Sequence, residues 1–292
     1  MARGRSGDCE PAGKSMSDRQ QSADIITRTG MIGLGAMGLE MARHMAGKGL
    51  DVAGFDIAPE PMQRAHNLGI TLCGSAAEVG AHAEVVIVMV ATDAQVNDVI
   101  VQSGMLDALV AGAVICIASS VAPETCRRLA ALAAVRNIGV LDTPVVLGQQ
   151  AADEGRLTVY VGGEGAFVEC ARPALSAFGR QVLHVGDVGS GQIAKTLNNM
   201  LLWACMSANM EALTLAKQLG CDVPRMIEAL GQGSGANWSL SRWGRSTGKW
   251  AEKDMDVALD LAQAAKVPVP LAALVDQLMK SVNQERMKAL LP

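Results

Sequence analysis

Residues 33 to 38 read Gly33-Leu34-Gly35-Ala36-Met37-Gly38, a G-x-G-x-x-G set between an apolar pair, Met31-Ile32, and a helical pattern from Leu39 to Gly47. In that pattern Met41 and Met45 stack at i, i+4, as do Ala42 and Ala46. The arrangement has a physical reading. The first glycine permits a tight turn, the second lets the backbone approach a diphosphate, and the third lets helix and strand pack closely. The diphosphate then rests on free N–H groups at the positive end of the helix dipole. The next strand pattern ends Gly54-Phe55-Asp56, 18 residues past Gly38. An acid there accepts hydrogen bonds from an adenosine ribose and repels a 2′-phosphate, and Ile57 and Ala58 supply no arginine. The expectation is a dinucleotide-binding βαβ unit that prefers NAD over NADP.

The rest of the chain has the matching texture. Val85 to Val90 is a continuous apolar run of buried-strand length, and Ala113 to Ile117 is another. Leu50 to Asp56, Val140 to Asp142, Leu157 to Val161 and Val182 to Val185 are weaker strand candidates, with helical stretches between, such as Ala122 to Val135. Arg28-Thr29-Gly30 is poor strand material at the start of the unit. After Gly186 no strand pattern appears. Gln192 to Leu219 is helical and stops at Gly220, Asp222-Val223-Pro224 opens another helix, and Asp254 to Lys266 a third that Pro268 ends. A last one restarts at Pro270 and runs towards Leu290. The fold class expected is α/β, a Rossmann-type doubly wound sheet followed by an all-α C-terminal domain. The expected limits are 1–24 for a disordered polar extension, 25–188 for the nucleotide domain and 189–292 for the helical domain.

Composition narrows the function classes. With 25 basic against 29 acidic residues the net charge is −4, which argues against a general nucleic-acid binder. Aromatics make up only 3%, too few for base-stacking platforms. No run reaches the roughly 18 apolar residues of a membrane span. The seven cysteines form no Cys-x-x-Cys, and several lie in apolar runs such as Val114 to Ile117. They read as reduced core residues of a cytoplasmic protein. No metal-ligand spacing joins them to the four histidines, so no metal is expected. Residues 1–24 lack an apolar h-region, and Asp8, Glu10, Asp18 and Asp24 argue against a mitochondrial presequence.

Five ordered motifs over roughly residues 30 to 280 resemble the β-hydroxyacid dehydrogenases, the family of 3-hydroxyisobutyrate dehydrogenase and tartronate semialdehyde reductase. The first is Gly33 to Arg43. Ala118-Ser119-Ser120-Val121-Ala122-Pro123 is similar to the family's Ser-Thr-Ile-x-Pro segment, which implies that Ser120 lies near the nicotinamide. Leu141-Asp142-Thr143-Pro144-Val145 with Gly155 to Thr158 and Val161-Gly162-Gly163 is similar to its substrate-loop region. Gly189-Ser190-Gly191 with Lys195, Asn198 and Asn199 resembles its catalytic motif, and Glu252-Lys253-Asp254-Met255 its Lys-Asp-Leu segment. The resemblance implies NAD(P)-dependent interconversion of a β-hydroxyacid and its semialdehyde or ketone. It makes Lys195 the general acid/base, Asn199 its neighbour at i, i+4 on the substrate oxygen, and Lys253 a cofactor contact. Val90, Ala91 and Thr92, at the end of the strongest strand, are read as further cofactor contacts. It also implies packing of the α domain in a homodimer or homotetramer.

One segment departs from the family. Its substrate loop runs Pro-Val-Ser-Gly-Gly; here it is Pro144-Val145-Val146-Leu147-Gly148-Gln149-Gln150. A hydroxyl is lost at Val146 and a bulky side chain stands at Leu147. Either the substrate has a more apolar or differently shaped body, or the backbone amides of Gly148 and Gln149 hold its carboxylate, with Gln149 or Gln150 replacing the hydroxyl. Asn237 and Trp238 fall in a stretch that faces the active site in the family, which makes Asn237 a candidate substrate contact and Trp238 either a substrate contact or a packing residue; Arg242 and Arg245 read as solvated charges. No basic cluster is evident around Asp142 to Gly155, which argues against phosphorylated substrates. Two rivals share the fold. Imine reductases carry Asp or Tyr in place of Lys195 and prefer NADP. Inactive NAD-binding adaptors lose the lysine. Lys195 and Asp56 count against the former, Lys195 against the latter.

Overall fold

The computed structural model describes residues 28–245 and 248–291; the extension expected over 1–24 lies outside them. Strands β1 (Arg28–Ile32), β2 (Asp51–Phe55), β3 (Thr71–Leu72), β4 (Val85–Val88), β5 (Val114–Ile117) and β6 (Gly139–Asp142) form a parallel sheet in the order β3-β2-β1-β4-β5-β6. Beyond β6 the sheet changes direction. β7 (Val145–Val146) and β6 pair antiparallel with β8 (Leu157–Gly162), and β9 (Gly179–Gly186) runs parallel to β8.

Helices α1 (Ala36–Gly47), α2 (Pro59–Asn67), α3 (Ala76–His82), α4 (Asp93–Asn97), α5 (Met105–Ala108), α6 (Pro123–Ala134), α7 (Gly148–Asp153) and α8 (Gly165–Phe178) connect these strands. Alternation along the strands gives each face its own core. Val85 and Ile87 join Met31, Met41, Met45 and Leu175 on one side. Val86 and Val88 join Ile32, Val79, Ile100 and Leu129 on the other. A sheet buried on both faces requires near-continuous apolar strands, which is why Val85–Val88 reads as it does.

The unpromising Arg28-Thr29-Gly30 forms half of β1 because packing decides. A Cβ on Gly30 would stand 2.5 Å from Val79 Cγ1, so helix α3 approaches the sheet closely only over a glycine. The strand order reverses between β1 and β4, and there the carboxyl ends leave the crevice in which doubly wound folds bind ligands.

The chain beyond β9 is helical among the described residues: α9 (Ser190–Gln218), α10 (Val223–Leu230), α11 (Trp238–Ser241), α12 (Ala251–Ala265), α13 (Pro270–Met279) and α14 (Gln284–Lys288). The stretch expected as one helix from Pro270 to Leu290 is two, broken after Met279, with Asn283 capping α14. A third core of Trp203, Met206, Met210, Leu213, Met255, Val275, Met279 and Met287 holds these helices together, so the methionines act as adaptable filling. No helix of the described residues is long and apolar enough to cross a membrane.

Candidate active site

The glycine turn has the geometry its spacing implies. Gly33 has φ +89°, and a Cβ there would strike the Met89 carbonyl oxygen at 2.2 Å; a Cβ on Gly38 would strike the Gly33 oxygen at 1.9 Å. Gly35, by contrast, faces open space and caps α1 without any side chain, so the first N–H groups of the helix stay available to an anion. Leu34 is buried; Ala36 is exposed and Met37 half-buried beside this opening. At the end of β2, Asp56 accepts the Leu34 N–H at 2.7 Å through Oδ2 and the Ala58 N–H at 2.9 Å through Oδ1. Each carboxylate oxygen keeps a lone pair for a ribose hydroxyl. The turn therefore fits a dinucleotide.

Across the switch point, Val90 donates its N–H to Ser119 Oγ at 2.8 Å, Ala91 donates to Gln95 Oε1, and Thr92 caps α4. Lys253, from α12, reaches over to donate to the Ala91 carbonyl at 3.3 Å. Lys195, in the second turn of α9, donates from Nζ to Ser120 Oγ at 2.6 Å. The structure thus gathers Lys195, Ser120, Lys253 and the loop after β4 around one crevice.

One face of α9 carries Lys195, Asn199 and Trp203 at successive i, i+4 positions. Asp254 of α12 lies against that face, accepting from Trp203 Nε1 at 3.0 Å and from the Asn199 amide. Burial lowers the pKa of Lys195 below the ordinary lysine value; nearby Asp254 pulls it back up, and Lys253 adds to the lowering. Burial raises the pKa of Asp254, against hydrogen bonds from Trp203 and Asn199 and the two lysine charges. Asp254 was legible only as a neighbour of Lys253 in the motif. Its bracing role needs the packing of α12 on α9.

Two more residues that spacing does not single out place α9. Asp142, buried at the end of β6, accepts the Gly189 N–H at 2.7 Å and the Gln192 N–H at 2.8 Å. Gln192 donates to the Ser119 carbonyl at 2.7 Å and accepts the Val121 N–H, so it fixes the loop that carries Ser120.

The substrate loop takes an irregular course. Val146 is buried in β7, and Leu147 (φ +86°) and Gly148 (φ +74°) both adopt left-handed backbone, with open space around Gly148. Gln149 donates to the Ala36 carbonyl at 3.1 Å and to Asp153, and Gln150 donates to Glu154 while accepting from Arg242. Both glutamine side chains are thus engaged within the protein. Asn237 is a cap: its Oδ1 accepts from Leu240 N, Ser239 and Asn209, and its Nδ2 donates to Asn209 and the Gly235 carbonyl. Both ends of its amide are thus engaged within the protein. Arg242 is not a solvated charge; it is half-buried, bonded to Gln150 and 5.0 Å over the Trp238 ring. Burial pushes the Cys116 and Cys126 thiols up, which fits core filling.

Residues 28–186 match the family described as the NAD binding domain of 6-phosphogluconate dehydrogenase, and 189–290 the NAD-binding family of NADP-dependent 3-hydroxyisobutyrate dehydrogenase. The 3-hydroxyisobutyrate dehydrogenase of Pseudomonas aeruginosa is 35% identical, covering 87% of this chain and 91% of that protein. The chain belongs to the 3-hydroxyisobutyrate dehydrogenase family. It is thereby an oxidoreductase of the NAD-binding hydroxyacid dehydrogenases. Another member of this family's circle, 2-(hydroxymethyl)glutarate dehydrogenase of Eubacterium barkeri, is 32% identical over 87% of this chain and 88% of its own. Among solved structures, the Mycobacterium tuberculosis 3-hydroxyisobutyrate dehydrogenase with L-serine superposes with a TM-score of 0.80 at 27% identity, covering 87% of this chain and 93% of that one. Imine reductases also superpose, at 20% identity or less, a likeness of fold alone.

Proposed function

We propose that this 3-hydroxyisobutyrate dehydrogenase relative interconverts a small carboxylate-bearing β-hydroxyacid with its semialdehyde or ketone, NAD being preferred over NADP and Lys195 moving the proton. The placement of Lys195 carries this reading: its amine lies 2.6 Å from Ser120 at the carboxyl end of the nucleotide sheet, in surroundings that lower its pKa. A lysine in water, near 10.4, is almost wholly protonated at neutral pH and a poor base. Desolvation enlarges the neutral fraction.

When bound, a nicotinamide dinucleotide supplies the two-electron exchange with the carbinol carbon. For oxidation, neutral Lys195 accepts the hydroxyl proton; for reduction, its ammonium returns one to the carbonyl oxygen. Asn199, steadied by Asp254, orients that oxygen. Gly33 to Gly38 and Asp56 hold the adenosine and diphosphate, Val90, Ala91 and Thr92 line the crevice, and Ser120 and Lys253 hold the nicotinamide end. The Asp56 carboxylate supports the preference for NAD, since it would sit against a 2′-phosphate. Because Gln149 and Gln150 are engaged elsewhere, the backbone N–H groups of Gly148 and Gln149 are left to receive the substrate carboxylate, beside Val146 and Leu147.

Residues 25–188 serve as the nucleotide domain and 189–292 as the helical one. Exposed Leu197, Leu201, Leu215 and Leu219 form a stripe along α9, with Leu271 and Leu274 exposed on α13, which supports a homodimer or homotetramer. Six cysteines of the described residues carry free thiols, which fits the cytoplasm. The test is a panel of β-hydroxyacids and semialdehydes followed by NADH absorbance. The reading expects turnover with at least one hydroxyacid; turnover of cyclic imines but of no hydroxyacid would contradict it.

A further inference from the structure

A cavity of about 310 Å³ opens beside Leu147, between the substrate loop, the start of β8 and β9, and α11. Three arginines, Arg156, Arg180 and Arg242, line it against one acid, Glu154. Arg156 pairs with Glu154. Arg242 is aimed by its 2.6 Å bond to Gln150 and its stacking on Trp238. No ion pair or side-chain hydrogen bond engages Arg180 among the described residues. Three arginines drawn from three separate segments leave a surplus of positive charge facing one space, which an anion satisfies.

Strand β8 runs from the cavity wall to helix α9, which carries Lys195. Thr158, which lines it, is the register partner of Val146. Tyr160 is two residues further along the same face of β8, about 7 Å away by strand geometry. Its hydroxyl donates to Asn198 of α9, the neighbour of Asn199. The cavity and the Lys195 helix thus share one face of β8, with Leu147 and Val146 beside it.

We infer that the substrate carries a second, distal carboxylate, and that Arg180, with Arg156 and Arg242, receives it. The inference rests on the dehydrogenase reading above and names the substrate class: a β-hydroxyacid with two carboxylates. Two orthogonal faces of recognition follow, backbone N–H groups for the carboxylate next to the carbinol and planar guanidinium forks for the far one.

Calorimetric titration of the NADH-loaded protein with glutarate and with butyrate tests this without turnover. Glutarate binds about tenfold or more tightly than butyrate, the scale of one hydrogen-bonded charge, and Arg180→Gln removes most of that preference. Arg156→Gln is a second variant, expected to act in the same direction, and the melting temperature of each variant checks folding. Equal affinities in the wild type, or a glutarate preference untouched by Arg180→Gln, overturns the inference. A third arm uses inorganic phosphate: if phosphate binds tighter than glutarate and is lost in Arg180→Gln, the occupant is a phosphate ester and the carboxylate assignment falls. Loss of the dehydrogenase reading would appear instead as turnover surviving in a Lys195 variant, with the glutarate preference intact.

Discussion

The carboxylate of Asp142 accepts the backbone N–H of Gln192 at 2.8 Å, three residues before Lys195. Its other oxygen takes Gly189, so a buried acid at the end of β6 holds the first turn of α9. The Gln192 side chain simultaneously fixes the segment carrying Ser120. The Lys195–Ser120 contact is therefore set from both of its ends, by Asp142 on the helix and by Gln192 on the Ser120 segment.

Replacing Asp142 by Asn puts an amide nitrogen against one of the two helix N–H groups and leaves it unsatisfied, a loss of about 1–3 kcal/mol. At about 2–4 °C per kcal/mol, the expected fall in Tm is several degrees by calorimetry. kcat should decline more than NADH affinity, because α9 moves while the glycine turn does not. An unchanged Tm would show that Asp142 does not anchor the helix.

Asp254 raises the pKa of Lys195 against the effect of burial. The neutral amine is the base in oxidation, so the rate falls as pH drops through the Lys195 pKa. Asp254→Asn removes a negative charge beside the ammonium, lowers that pKa further, and shifts the acid limb of kcat/KM for oxidation to lower pH. A limb displaced to higher pH, or not at all, would detach Asp254 from the proton-transfer group.

Val146→Ser restores a hydroxyl at the substrate loop. Where small monocarboxylate hydroxyacids are poor substrates of the wild type, the variant should raise their kcat/KM, by about fivefold to tenfold for one regained hydrogen bond. No gain would mean that the pocket recognises a differently shaped substrate body.

The cofactor preference depends on Asp56. Fluorescence titration should give tighter binding of NADH than of NADPH, with the gap narrowed in Asp56→Ser as the repulsion of a 2′-phosphate is relieved. Equal affinities in the wild type would remove Asp56 from the ribose role.

How far this could be read in one dimension follows from how local each determinant is. The glycine turn, Val85–Val88, Val114–Ile117 and Pro123–Ala134 carry their own periodicity and caps, so their elements were legible. The short β3 and β7 have two residues each and no pattern of their own; they exist only as partners of β2 and β8. Gly30 looks wrong for a strand until α3 is placed over it. Lys195 and Ser120, 75 residues apart, were each recognisable by motif, but their contact is a product of Asp142 and Gln192. The arginines at 156, 180 and 242 are each unremarkable in sequence, and only the fold turns them towards one cavity.

The most direct measurement compares oxidation by the wild type and Lys195→Ala as a function of pH, alongside NADH binding. Loss of the proton acceptor should reduce kcat by about 10²–10⁴-fold and abolish the acid limb assigned to the amine, while the NADH Kd stays within about twofold, since Lys195 lies outside the glycine turn. A variant that retains near-normal turnover with the wild-type pH profile would contradict the assignment of Lys195 as acid/base.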